Sequence, residues 1–116
     1  MKLTKALVLT AFLAVTANSF ADDSIARQKL AEAKTLYTER ATPAKLDEAI
    51  AALAVAEKEA QDADLKYDVL IFTARAVYFK GLRATVKEAK IALFDQSLAK
   101  ADLAKAVNED WADAHY

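Results

Sequence analysis

The chain has 116 residues, with 16 Lys and Arg against 17 Asp and Glu, a net charge of −1, no cysteine, one glycine and one proline. Both signs are interspersed, so there is neither the clustered basic footprint that nucleic acid demands nor a polybasic run for acidic lipids. Disulfides are excluded, one glycine rules out a glycine-rich phosphate loop, and so few turn residues argue against a β-rich fold of this size.

The first 21 residues read as a secretory signal. Lys2 and Lys5 give a positive start, Ala6 to Ala17 is a short apolar run, and the small residues Ser19 and Ala21 set a cut between Ala21 and Asp22. The run is shorter than the ~20 residues a membrane-spanning helix needs, and no cysteine follows the cut to carry a lipid. A periplasmic or secreted location is therefore expected, with no membrane insertion after cleavage. The domain is then residues 22–116, in which the loss of Lys2 and Lys5 moves the charge to −3. Alanine fills 23 of those 95 positions, and the composition predicts an all-α fold.

A first helix is expected to begin near Ser24, whose hydroxyl suits an N-cap, and to stop near Arg40. Ile25, Leu30, Ala33, Leu36 and Tyr37 form its apolar stripe. Thr42 and Pro43 then punctuate: Pro43 has φ preset for a first helical turn, with Thr42 before it as N-cap. Asp47 and Glu48 are placed near the positive end of this second helix. Leu46, Ala49, Ile50, Leu53, Ala56 and Ala60 form its inner face, where the alanines let a neighbour come close. The break at residues 62–64 offers Asp64 as N-cap of a central helix, roughly from Leu65 to Leu82. Its Val69 to Phe79 stretch is the most continuously apolar part of the domain. Tyr67, Ile71, Ala74 and Tyr78 make one face, and Val69, Phe72, Ala76 and Phe79 an adjacent one, so more than half the circumference requires burial, a partner or a ligand. Gly81 is expected to end this helix in a left-handed cap. Thr85 and Glu88 fit a capping box for a fourth helix running to about Val107, with Ile91, Phe94, Leu98, Ala101, Leu103 and Ala104 as its seam. Asn108 is expected to close it, and Trp111 to Tyr116 to open another.

Helices of this length joined by short breaks suggest antiparallel hairpins, and a repeat is faintly visible in them. Ala104 to Tyr116 resembles the junction between tetratricopeptide repeats, with Glu109 at the place of the usual proline. Tyr37, followed by Ala49, Leu53 and Ala56, is similar to the tyrosine of a first helix and the packing positions of a second. Tyr78 corresponds to the next such tyrosine, 41 residues on where the usual repeat has about 34. The resemblance implies a TPR-like stack of helical hairpins. An exported chain with such repeats is also similar to the TatT component associated with TRAP transporters.

In that alignment the groove-facing side of the central helix comprises Val69, Phe72, Ala76, Phe79 and Lys80, opposite Gln28, Ala31, Thr35, Thr38 and Glu39 of the first helix. One apolar and one polar wall suit an amphipathic peptide or a ligand with an apolar body. The competing reading packs Phe72 and Phe79 into the core, against the fourth helix or a further hairpin. Arg75, among apolar neighbours, either grips a carboxylate, pairs with an acid such as Asp68 or Glu39, or snorkels to water. His115 is the single histidine and, without cysteine, does not make a zinc site. The carboxylate pairs lie near helix ends or on polar faces, and Ser24, Thr85 and Ser97 have no base placed beside them, so no catalytic residue, metal or cofactor is assigned. The leading expectation is a non-enzymatic module binding a protein or peptide partner in the cell envelope. The alternative is a small-ligand-binding accessory of a TRAP-type transporter, and self-association stays open.

Overall fold

The computed structural model describes the backbone of residues 22–115 and the side chains of residues 23–107; the signal and its cut lie outside the described residues. The fold is all-α. Its helices are α1 (Asp22–Tyr37), α2 (Pro43–Glu59), α3 (Ala63–Arg83) and α4 (Lys87–His115). Connections of a few residues force antiparallel hairpins, α1 on α2 and α3 on α4, and the two hairpins meet where α3 packs on α2 and touches α1.

One core runs through α1, α2 and α3. Ala26, Leu30 and Ala33 of α1 meet Leu46, Ala49, Ala52, Leu53 and Ala56 of α2, and Leu65, Val69 and Ala76 of α3 close the cluster. Four of the alanines, Ala26, Ala33, Ala49 and Ala56, have no exposed surface at all. Small side chains at those positions let the α1 and α2 backbones approach, and the larger Leu53 fills the space between them. The opposite side of α3 carries Leu70, Thr73, Ala74, Val77 and Gly81, all buried, and α4 covers them. The central stretch is thus packed on two sides, as its wide apolar arc required.

The α3–α4 contact is unusually close at its small residues. Gly81 lies against the Phe94 ring, and the buried Ser97 hydroxyl donates to the Ala74 carbonyl at 2.7 Å. Thr73 donates to the Val69 carbonyl at 2.7 Å, so both buried hydroxyls on this contact are satisfied. Lys100 of α4 reaches over to Glu57 of α2, with Nζ 2.8 and 3.0 Å from the two carboxylate oxygens, and ties the second hairpin to the first.

Several helix ends differ from the sequence-based expectation. α1 begins before Ser24, which therefore lies inside the helix, and Asp23 beside it turns its Oδ1 to the α2–α3 turn, where it accepts from the backbone N–H groups of Gln61 (2.8 Å) and Asp62 (3.3 Å). Thr42 and Pro43 do open α2, although the Thr42 side chain makes no capping bond and no acid stands in the first turn. α3 is capped by Asp62 in place of Asp64: its carboxylate accepts from Leu65 N–H at 3.1 Å, a bond that the later aspartate, already inside the helix, is too far along to make. Gly81 does not end α3. It has no positive φ, and the helix continues to Arg83 because close packing on Phe94, not backbone freedom, is what requires glycine there. The first α4 bond, Lys90 N–H to the Val86 carbonyl, places the N-cap at Val86, so the Thr85–Glu88 box is one residue out of register. Asn108 does not close α4, which runs unbroken to His115. With no glycine or proline there and alanines on both sides, nothing stops the helix.

Candidate functional site

The aromatic residues of α1 and α3 gather on one face of the molecule. Tyr37, at the last turn of α1, stands edge-on to Phe72 (centroids 5.1 Å, planes at 72°) and to Phe79 (6.2 Å, 72°). Phe72 and Phe79 are seven residues apart on α3, hence on the same side two turns along, and Tyr37 bridges them. All three rings are half-buried: their inner edges rest on the core and their outer edges face solvent.

Four cations surround these rings. Lys34 Nζ lies 5.9 Å from the Phe72 centroid and the Arg75 guanidinium 5.7 Å from it. The Arg40 guanidinium lies 4.6 Å from the Tyr37 centroid and 5.1 Å from that of Phe79, which Arg83 also approaches at 5.6 Å. Each such contact is worth ~0.5–1 kcal/mol at an exposed site and orients the cation along the ring. Arg40 is fixed further by donating to the Tyr37 carbonyl at 3.2 Å. Among the described residues, no ion pair joins any of the four to a carboxylate. Arg75 pairs with neither Asp68 nor Glu39, and the nearby Asp47 is held by Lys80 at 2.9 Å.

The surface continues into an open cleft of about 400 Å³, bounded by Arg40, Pro43, Leu46, Asp47, Lys80 and Arg83 and closed by Leu93 of α4. A second, wider groove of about 600 Å³ lies between α1 and α2, lined by Lys29, Glu32, Thr35, Leu36, Ala51 and Val55.

The groove expected from the sequence is therefore divided. Phe72 and Phe79 reach the aromatic surface, but Val69 and Ala76 have no exposure and belong to the core. Lys80 sits at the cleft as half of an ion pair. On α1 the expected wall is broken at Thr35. Thr35 lines the α1–α2 groove and donates to the Ala31 carbonyl, and Thr38 donates to the Thr35 carbonyl at 2.6 Å. Gln28, Ala31 and Glu39 are exposed. The 3.6-residue period places Ala26, Leu30, Ala33 and Tyr37 toward the core, and Gln28, Ala31 and Thr35 fall on other sides of the helix from them. Of the competing reading of Phe72 and Phe79, the core contact holds in part, since both rings pack on the core cluster, but their aromatic partner is Tyr37 of α1 and not α4, which takes Phe94 against Tyr78 at 5.2 Å.

Lys34, Arg40 and Arg83 were not singled out by sequence reasoning. A signal for them exists in the spacing: Arg75 follows Phe72 by three residues and Arg83 follows Phe79 by four, each a helical neighbour, while Lys34 and Arg40 stand three residues either side of Tyr37. Ser97, the one hydroxyl buried on α4, is engaged with the Ala74 carbonyl. No helix among the described residues is long and apolar enough to cross a membrane. No family model matches the chain, and neither a curated protein nor a solved structure does.

Proposed function

We propose that this chain is an exported, non-enzymatic helical-repeat module that takes a protein or peptide partner on the α1–α3 face. The observation that carries this reading is the set of half-buried rings, Tyr37, Phe72 and Phe79, left open to solvent beneath four cations that no ion pair neutralises among the described residues. Aromatic and arginine side chains on a rigid helical support are the residue types that dominate protein recognition, because they contribute large contact area and directed hydrogen bonds at small entropic cost. The stacked hairpins agree with the tetratricopeptide-like arrangement that Tyr37, Ala49, Leu53 and Ala56 suggest, and the N-terminal 21 residues support export.

A crosslinking amino acid tests the reading. Placed at Phe72 in cells that make the protein, it is expected to give a discrete protein adduct, whereas the same group at Val55 in the α1–α2 groove gives none. Equal adducts from both positions, or none from either, contradict it. A second reading, a small-ligand-binding accessory of a TRAP-type transporter, draws on the cleft beside Phe79, whose volume of about 400 Å³ suits a small molecule. Native mass spectrometry separates the two: a small apolar species that travels with the protein and is lost in Leu93→Trp favours the ligand.

A further inference from the structure

The cations on the α1–α3 face are not scattered. They form two centres, Lys34 and Arg75 about Phe72 and Arg40 and Arg83 about Phe79. Seven residues separate the two rings on α3, which at a rise of ~1.5 Å per residue sets the centres ~10 Å apart. We propose that this pair of centres recognises an acidic peptide segment of a partner protein through two carboxylates spaced by that distance. Carboxylates at i and i+7 of a helix meet the spacing from one face. Arginine contributes a planar fork that takes a carboxylate through two parallel N–H donors, and the ring beneath each guanidinium holds that fork in place before the partner arrives. The rings themselves are then covered by the apolar side chains between the two acids.

Charge complementarity favours an acidic partner, and the chain contains an acidic row of its own. Glu88, Asp95 and Asp102 are exposed on α4 at seven-residue intervals. Docking that row onto the cationic face of another copy joins two different surfaces, which close into a ring or run on as an open chain according to the rotation between copies. The occupant we assign, on the charge complementarity of four cations that no ion pair neutralises among the described residues, is a segment of another protein, and the protein alone is expected to stay monomeric.

This inference rests on the docking reading above, and its test separates the two. The probes are two fluorescein-labelled, alanine-based helical peptides of identical composition, one with glutamates at i and i+7 and one with them adjacent. Binding to the purified protein is followed by anisotropy at low salt. The i, i+7 peptide is expected to bind at least tenfold more tightly, and Arg75→Glu or Arg83→Glu to weaken it at least tenfold. Lys29→Glu, on the α1–α2 groove, is expected to change it less than twofold. Both arginines are exposed, so the fold tolerates the reversal; Arg75→Gln and Arg83→Gln repeat the comparison, with circular dichroism confirming helix content. Equal binding of the two peptides, or binding indifferent to Arg75 and Arg83, overturns the proposal. Concentration-dependent assembly in sedimentation that disappears in Arg83→Glu overturns it as well and gives the surface to a second copy. Crosslinks from Phe72 that persist in both charge-reversed variants overturn the acidic partner while leaving the docking reading intact.

Discussion

Gly81 packs directly against α4: a Cβ there would meet Phe94 Cε1 at 2.7 Å, Cδ1 at 2.8 Å and Leu93 Cβ at 3.4 Å. An alanine regains about 1 kcal/mol of helix propensity, but it must push a ring that is already stacked on Tyr78. Overpacking of that kind costs about 1–3 kcal/mol, so Gly81→Ala is expected to lower stability by about 1 kcal/mol in urea unfolding. An increase in stability would show that the ring gives way freely. Asp23 makes a different prediction. Hydrogen bonding from Gln61 N–H holds its carboxyl below the usual 3.8, helped by Asp62 N–H and the charge of Arg27 against a smaller opposing effect of desolvation. A carboxylate with a depressed folded pKa stabilises the fold above its ordinary pKa, and that contribution fades as pH falls through the folded value. The urea midpoint is therefore expected to drop more between pH 6 and pH 3 in the natural protein than in Asp23→Asn, which keeps an acceptor but no titrating charge. Identical pH profiles would remove the ionic part of this contact.

At the scale of helices, the deepest positions decide stability. Leu53 of α2 is fully buried in the core that α1, α2 and α3 share, and Leu53→Ala is expected to cost about 2–4 kcal/mol by chemical denaturation. Phe72→Ala, at a half-buried ring, is expected to cost less than its size suggests; a loss exceeding that of Leu53→Ala would make Phe72 core after all. Much of this layout was legible in the sequence. Leu46, Ala49, Leu53 and Ala56 recur at helical spacing and face inward as the period requires, and Pro43 fixed the start of α2. The α4 seam was legible only in part: Ala104 is buried and Phe94 packs on Gly81 and Tyr78, but Ile91, Leu98 and Leu103 are each at least half exposed and the buried Ser97 was not foreseen. Hydrophobicity points to the large residues, but α4 is drawn along the line where Gly81 and Ala74 admit close approach, and small side chains fit that line. Helix ends were misread for a related reason: Ser24, Asp64 and Thr85 are suitable caps in isolation, and the actual ends depend on where the chain turns in three dimensions, as with Asp62, two residues before Asp64, accepting from Leu65 N–H.

Across the whole molecule, one hairpin is largely consumed by the core while the α1–α3 face keeps its rings and cations open. The candidate site was half legible: the apolar period exposed Phe72 and Phe79, but the wall opposite them depended on the rotation of α1, which brings Tyr37 and Lys34 to the face and turns Thr35 away. On the proposed function a partner binds this face and not the α1–α2 groove. The most direct test is a titration of the isotope-labelled protein with the i, i+7 glutamate peptide, followed by amide NMR shifts. The account predicts that the shifts cluster at Lys34, Tyr37, Phe72, Arg75, Phe79 and Arg83. Shifts centred on Lys29, Thr35 and Val55, or spread evenly over the four helices, would contradict it.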